Sequence, residues 1–180
     1  MNTANILTIS RILLVPVFIL FFYLRIPYAT IFALIIFIAA SLTDLVDGMV
    51  ARKYNQVTDF GKFIDPIADK LLALAGILML MSVDKIHPVI AFVLIAREMI
   101  MSGFRLVAAA KGQVMAAGIL GKIKTVTQLI AICVLLITEY LPPLFYYIGY
   151  ITLYISVVFS VWSCVDYIVK NRSALDLRNL

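Results

Sequence analysis

Six apolar runs separated by short polar links constrain the fold of this chain more than any other feature. Each run is close to the roughly 20 residues that an α-helix needs to cross a bilayer, and none shows the regular alternation of a strand. The runs are Ile6–Leu24, Ala29–Leu45, Phe63–Met81, Pro88–Ala110, Ile123–Ile137 and Leu144–Val169. Because 64% of the 180 residues are hydrophobic, the chain has more apolar surface than a soluble domain of this size can bury. We expect an all-α, polytopic membrane protein in which residues 1–180 form a single domain with six transmembrane helices.

The first run begins with polar residues. Asn5, Thr8 and Arg11 precede or interrupt it. This predicts a short N-terminal interfacial segment over Thr3–Arg11, from which the Arg11 side chain reaches the headgroups. Capping of a helix by Asn5 and Thr8 is the alternative.

Basic residues indicate the orientation in the membrane. If six helices alternate, the two longest links, Val50–Lys62 and Lys111–Lys122, lie on the same side as both termini, and this side carries most of the Lys and Arg residues. The opposite side carries Arg25 and Lys85. By the positive-inside rule, we expect a multi-pass protein of the cell (cytoplasmic) membrane with both termini in the cytosol. The excess of 15 basic over 10 acidic residues suits anionic lipid and phosphate. A nucleic-acid partner is not expected, because no soluble domain carries a basic cluster.

Four carboxylates lie at the ends of the second and third runs, on either side of the Val50–Lys62 link. Asp44 and Asp47 are three residues apart, and Asp65 and Asp69 are four apart, so each pair lies on one face of a helix. Ionisable groups in membrane segments are rare and usually mark ion or substrate sites, and an all-oxygen set suits Mg²⁺, Mn²⁺ or Ca²⁺. Two capped helix ends with their acids in water would explain each pair, but not the residues interspersed with them. Those residues are Gly48, Ala51, Arg52 and Gly61.

The stretch from Asp44 to Asp69 forms one pattern, Asp-x2-Asp-Gly-x2-Ala-Arg-x8-Gly-x3-Asp-x3-Asp. In residue type and spacing it resembles the signature of the CDP-alcohol phosphatidyltransferase family, which transfers a substituted phosphoryl group from a CDP-linked donor to an alcohol and releases CMP. The resemblance implies two divalent cations, Mg²⁺ or alternatively Mn²⁺, and the charge pattern described above places the acids on the cytosolic side. It implies that one cation is held by Asp44, Asp47 and Asp65, and the other by Asp44, Asp65 and Asp69. It also implies that Asp69 is the general base for the acceptor hydroxyl.

The same resemblance assigns further residues to the donor, CDP-diacylglycerol. Glycines allow close approach of a ligand to the backbone, and the guanidinium of Arg52 can offer a planar fork to the diphosphate. The implied donor-binding residues are Asn5, Thr8, Gly48, Ala51, Arg52, Thr58 and Gly61. There are two alternatives. The glycines could serve helix packing, and Arg52 could anchor its helix at the cytosolic membrane surface.

A second polar group interrupts the fourth apolar run. Glu98, Ser102 and Arg105 share a helix face by their spacing, and an arginine at bilayer depth such as Arg97 must pair or face a cavity. A structural contact between Arg97 and Glu98 is the simplest alternative.

Two motifs from this part of the chain onward resemble one branch of the family in particular. Arg-Glu-x4-Gly-x-Arg starts at Arg97, and Gly-Lys-x-Lys-Thr-x2-Gln starts at Gly121. Both resemble the bacterial branch of the family that makes phosphatidylglycerophosphate. That branch implies sn-glycerol 3-phosphate as the acceptor, whose phosphate would need fixed positive charge. The candidates are Arg105, Lys122, Lys124 and Arg97.

Other functions are compatible with parts of this pattern. A sister enzyme could use inositol phosphate, serine or phosphatidylglycerol as the acceptor. A cation transporter could also use the acids, although their clustering at one end is not typical of a path across the membrane. The family is commonly dimeric, and we therefore expect a homodimer.

Overall fold

The computed structural model describes residues 3–24, 26–54, 59–110 and 118–170. Over these ranges the chain forms α-helices with one 3₁₀ turn and no strand. The helices are α1 (Thr3–Tyr23), α2 (Ala29–Tyr54), α3 (Asp59–Ser82), α4 (Pro88–Ala110), α5 (Ile119–Leu136) and α6 (Pro143–Lys170), with the 3₁₀ turn at Thr138–Tyr140. The all-α prediction is confirmed, and each apolar run corresponds to one helix.

The helices α2 and α3 extend into the polar sequence between the apolar runs that predicted them. The run Ala29–Leu45 lies in α2, which continues to Tyr54, and the run Phe63–Met81 lies in α3, which already starts at Asp59. Main-chain hydrogen bonds do not require apolar side chains, so both helices extend through the polar sequence. All four aspartates of the signature therefore lie on helical backbone.

The expected interfacial segment at the N-terminus is not seen. Residues Thr3–Arg11 belong to the same continuous helix, α1, as the apolar residues that follow. Thr8 is 3% exposed and Arg11 is 2% exposed, whereas a side chain that reaches the headgroups would be open to the surface. The prediction of a separate segment with an outward Arg11 side chain was wrong, because the helix is continuous and Thr8 and Arg11 are buried.

Apolar side chains cover much of the outer surface. On α4, Leu106 is 74% exposed and Phe92 is 70% exposed. Soluble proteins rarely leave such extended apolar surface in contact with water. Among the described helices, α5 and α6 are long and apolar enough to cross a membrane, and shorter apolar stretches occupy Thr8–Tyr23, Ala29–Thr43 and Lys70–Ser82. These features are those of a membrane protein, and the crossing by all six helices stays a prediction.

The core forms where α1, α2, α3 and α5 meet. Phe18 of α1 and Phe37 of α2 are fully buried, and their ring centroids are 5.5 Å apart. A Cβ atom on Gly76 of α3 would lie 3.0 Å from both Phe37 and Ile132. The missing side chain at Gly76 thus lets α3 approach α2 and α5 closely.

The links α1–α2, α3–α4 and α5–α6 lie at one end of the bundle and contact one another. Tyr28 precedes α2, and its ring centroid is 6.0 Å from that of Tyr140. Lys85, between α3 and α4, donates through Nζ to Leu135 O at 3.1 Å and to Glu139 Oε1 at 3.2 Å. Tyr150 of α6 donates its hydroxyl to Lys85 O at 2.7 Å. The residues assigned from the charge pattern to the side opposite the acids, Lys85 and the start of the α5–α6 link, are therefore neighbours.

Candidate active site

The acid pairs continue the buried faces of two helices. On α2, the buried residues Ala33, Phe37 and Ala40 are followed at helical spacing by positions 44 and 47. On α3, positions 65 and 69 share a side of the helix with Ala68 and Leu72, which are 0% and 4% exposed. By their spacing along the backbone, the positions of both pairs therefore continue the register of these buried residues.

Most of the predicted metal and donor residues have no described side chain. The side chains of the four aspartates lie outside the described part of the structure, as do those of Asn5, Gly48, Ala51, Arg52 and Gly61. Thr58 lies outside the described residues altogether. The convergence of the four carboxylates, and with it the assignment of metal and donor ligands, stays a prediction. In the part of the chain with described side chains, no three His, Cys, Asp or Glu residues cluster.

Thr8 is the member of the predicted donor site whose side chain is described. It is 3% exposed on α1, a helix that packs against both α2 and α3. Asn5 lies three residues earlier on the same helical backbone, so the two positions share a face. Thr8 is therefore a buried polar residue on a helix that packs against the two helices that carry the acids.

Polar groups from three helices meet around Glu98. Its Oε2 atom accepts a hydrogen bond from Arg97 Nη1 at 2.8 Å and another from Lys124 Nζ at 3.0 Å. Arg97 Nη2 also donates to Ser163 Oγ at 2.8 Å, and Arg97 Nε donates to Ser160 O at 3.3 Å. We call Arg97, Glu98, Lys124, Ser160 and Ser163 the Glu98 cluster. It joins α4 to α5 through the carboxylate and α4 to α6 through the guanidinium.

The four basic residues predicted to bind an acceptor phosphate divide into two pairs. Arg97 and Lys124 are 8% and 2% exposed, and both contact Glu98. Arg105 and Lys122 are exposed, and the charge of Arg105 acts on the Lys124 ammonium. The structural contact between Arg97 and Glu98 that was considered as an alternative is present. The two exposed cations are the ones a soluble anion can reach directly.

Sequence reasoning missed the contribution of α6. Ser156, Ser160 and Ser163 are buried along one face of this helix, and two of them bind Arg97. A signal was available, because these serines and Tyr167 recur every three or four residues within an apolar run. Such a polar stripe predicts a partner inside the protein, since lipid offers no hydrogen bonds.

A small cavity of about 20 Å³ lies between α3, α4 and α5, beside the Glu98 cluster. Lys70, Glu98 and Gln128 form its polar lining, and Leu74, Ile77, Leu94 and Ile95 are among its apolar residues. Gln128 is 4% exposed, and its Oε1 atom accepts no hydrogen bond from the described residues. The cavity begins one residue after Asp69 along α3, so it lies next to the acid-bearing part of that helix.

Comparison with known proteins decides the family. The family model of CDP-alcohol phosphatidyltransferase matches residues 1–162. The chain belongs to this family. CDP-diacylglycerol--glycerol-3-phosphate 3-phosphatidyltransferase of Bacillus subtilis is 41% identical over 194 aligned residues, which cover 99% of both chains. The enzymes of the same name from Rickettsia bellii and Shigella flexneri serotype 5b are 42% and 35% identical over 76% and 97% of this chain, and over 75% and 97% of their own length.

Membership of the CDP-alcohol phosphatidyltransferase family makes the protein a transferase. Enzymes of this family depend on divalent cations. The metal-ligand candidates in the signature fit that requirement. The set consists of four carboxylates without a thiol or imidazole, and hard cations such as Mg²⁺ and Mn²⁺ prefer such oxygen ligands.

Proposed function

We propose that the protein transfers the phosphatidyl group from CDP-diacylglycerol to sn-glycerol 3-phosphate, giving phosphatidylglycerophosphate and CMP. The observation that carries this proposal is the complete family signature on α2 and α3, in a chain that also has exposed cations on α4 and α5. The names of relatives at 35–42% identity support the choice of donor and acceptor. The proposed enzyme catalyses a step of phospholipid biosynthesis.

The transfer needs an attacking hydroxyl, a positioned diphosphate and a proton acceptor. A hydroxyl oxygen of glycerol 3-phosphate forms a bond to the phosphorus that carries diacylglycerol, the phosphoanhydride bond breaks, and CMP leaves with the bridging oxygen. Asp69 takes the hydroxyl proton as general base. Positioning and charge neutralisation dominate such phosphoryl transfers.

Two divalent cations, Mg²⁺ or Mn²⁺, would be held by Asp44, Asp47, Asp65 and Asp69. When bound, they would neutralise the diphosphate and polarise its oxygens. The donor's diphosphate and nucleotide would contact Arg52, with Asn5, Thr8, Gly48, Ala51, Thr58 and Gly61 around it. Thr8 supports this placement, because it is buried on a helix packed against both acid-bearing helices.

The acceptor phosphate is a dianion, and the exposed Arg105 and Lys122 are the cations that it would meet first. Lys124 and Arg97 lie behind them in the Glu98 cluster. Charged hydrogen bonds to phosphate are short and strong, so a site with several cations favours a phosphorylated acceptor over serine or another alcohol without phosphate. This charge pattern is the physical reason to prefer glycerol 3-phosphate, although inositol phosphate shares it.

The membrane arrangement follows from the same charges. We propose six membrane-crossing helices, with both termini and the active site on the cytosolic side of the cell membrane. The links α1–α2, α3–α4 and α5–α6 meet at the opposite end of the bundle through contacts of Tyr28 with Tyr140 and of Lys85 with Glu139. This supports helices that alternate in direction across the membrane. The acyl chains of the donor would stay in lipid while its CDP head enters the bundle. A homodimer, as in other members of the family, is part of the proposal.

An acceptor panel tests the proposed reaction. Purified protein in detergent with Mg²⁺ would receive CDP-diacylglycerol and, separately, glycerol 3-phosphate, inositol phosphate, serine or phosphatidylglycerol. We expect CMP release and phosphatidylglycerophosphate, identified by mass spectrometry, with glycerol 3-phosphate only. Asp69→Asn protein serves as the inactive control. Faster turnover with another alcohol would reassign the acceptor, and metal uptake into vesicles without CMP release would favour a transporter.

A further inference from the structure

The Glu98 carboxylate holds two cations with one oxygen atom. Arg97 Nη1 and Lys124 Nζ lie 2.8 and 3.0 Å from the same Oε2 atom. No hydrogen bond from the described residues uses Oε1. Arg97 and Lys124 are buried, and a buried cation without a counter-ion is strongly unfavourable. Without Glu98, these two positive groups would repel each other.

The ion pair from Glu98 to Lys124 also spans two helices that otherwise approach each other sparsely. In the described structure, α4 packs mainly on α3 and α6, and α5 packs mainly on α6. The Lys124 side chain is therefore a principal direct connection between α4 and α5. Arg97 completes the arrangement from the other side, because its guanidinium is fixed to Ser160 and Ser163 of α6.

The two exposed cations stand on the helices that Glu98 connects. Arg105 lies seven residues after Glu98 on α4, which is two helical turns and the same face. Lys122 lies two residues before Lys124, in the first turns of α5 and on a different face of that helix. The distance between the Arg105 and Lys122 side chains therefore depends on how α4 is held against α5.

We propose that Glu98 is a positioning residue for the acceptor. By holding Lys124 and Arg97, it fixes α4 against α5 and so sets the spacing of Arg105 and Lys122 for one dianionic phosphate. Arg97 and Lys124 act through this spacing, with their charges already balanced by Glu98. This inference rests on the proposed function, because it assigns the acceptor phosphate to the end of α4 and α5.

The first test compares Glu98→Gln with the wild type for both substrates. Removing the charge frees Lys124, and misplacement of catalytic or binding groups by about 1 Å can cost on the order of a hundredfold. We expect the KM for glycerol 3-phosphate to rise by at least about tenfold, with the KM for CDP-diacylglycerol and the saturated kcat changed by less than about threefold. Glu139→Gln is the matched control, since it removes the 3.2 Å ion pair to Lys85 at the other end of the bundle and should change neither KM.

Lys124→Met provides a second variant that leaves no cation without a counter-ion. In this variant Glu98 still pairs with Arg97 at 2.8 Å, so the protein should fold even if Glu98→Gln does not. We expect the same selective rise in the KM for glycerol 3-phosphate. Because both changes remove the same ion pair between Glu98 and Lys124, the double variant should be no worse than Glu98→Gln, about tenfold rather than the roughly hundredfold product.

Three outcomes would overturn the positioning role. The first is an equal rise in both KM values, and the second is a KM for glycerol 3-phosphate that stays within about twofold of wild type in Lys124→Met. The third is multiplication of the two effects in the double variant. The proposed function fails separately, if the wild-type protein does not use glycerol 3-phosphate.

Discussion

Gly149 of α6 lies directly against Leu135 of α5. A Cβ atom on Gly149 would be 2.8 Å from Leu135 Cδ2 and 3.0 Å from Leu135 Cγ, closer than packed carbon atoms can approach. Leu135 is fully buried, so it cannot turn away into lipid. The missing side chain therefore sets how closely α5 and α6 pack.

Gly149→Ala should destabilise the protein, because the added methyl group forces α5 and α6 apart. Overpacking of a core typically costs about 1–3 kcal/mol. We expect a lower midpoint of thermal unfolding in detergent at a fixed scan rate. Gly103→Ala is the control, since a Cβ on Gly103 meets nothing within 4 Å, and alanine in a helix is favoured over glycine by up to about 1 kcal/mol. An equal loss in both variants would contradict this packing.

Replacement of single signature acids should abolish turnover without unfolding the protein. Asp44→Asn, Asp65→Asn and Asp69→Asn each preserve side-chain size but remove a charge that a divalent cation needs. The release of CMP from CDP-diacylglycerol would be measured beside a thermal unfolding curve. Chelation should inhibit the wild type, and added Mg²⁺ should restore it. Substantial activity in any of the three variants would contradict the assignment of these acids as metal ligands.

Loss of one exposed cation should weaken the acceptor selectively. A charged hydrogen bond to phosphate contributes about 1.5–3 kcal/mol, so Arg105→Ala or Lys122→Ala should raise the KM for glycerol 3-phosphate by about ten- to a hundredfold. The KM for CDP-diacylglycerol should change little. Lys170→Ala is the matched control, because it changes the net charge by the same amount. This exposed lysine pairs with Asp166 at the end of α6. Equal weakening of donor and acceptor would exclude an acceptor-specific role.

The orientation of the protein in the membrane can be determined by labelling single cysteines from outside the cell. Cysteines at Asn55 and Ser173, in a background without Cys133 and Cys164, should resist an impermeant thiol reagent added to intact cells. A cysteine at Val83, which is 45% exposed near Lys85, should react as the positive control. Labelling of Asn55→Cys from outside would reverse the orientation and move the active site away from the cytosol.

Hydrophobicity predicted the helices well and their ends poorly. The run Pro88–Ala110 matches α4 in both bounds, because Pro88 starts the helix and fixes its first backbone angle. By contrast, α2 extends to Tyr54, since a helix can continue through polar residues once its backbone hydrogen bonds are formed. The N-terminal prediction failed for the same kind of reason. Polarity at Thr8 and Arg11 suggested the membrane surface, but a bundle can also bury polar groups that find partners.

The candidate site was predictable where spacing alone carries the information. The spacing of Asp44, Asp47, Asp65 and Asp69 indicated two pairs on helix faces, and the structure places all four positions on helices. The Glu98 cluster was predicted only in part. Spacing relates residues of one helix, whereas the contacts from Arg97 to Ser160 and Ser163 join residues more than 60 positions apart. Which helix approaches Arg97 depends on packing that no local pattern encodes.

The contacts around Lys85 make the two ends of the bundle chemically different. At one end, Lys85 links Leu135, Glu139 and Tyr150, while Tyr28 and Thr30 contact Tyr140. Toward the other end, Lys124 of α5 donates a hydrogen bond to Glu98 Oε2 of α4. The two ends of the bundle therefore present different surfaces. Contacts between links close the end around Lys85, whereas the charged side chains of Arg105 and Lys122 are exposed near the other end.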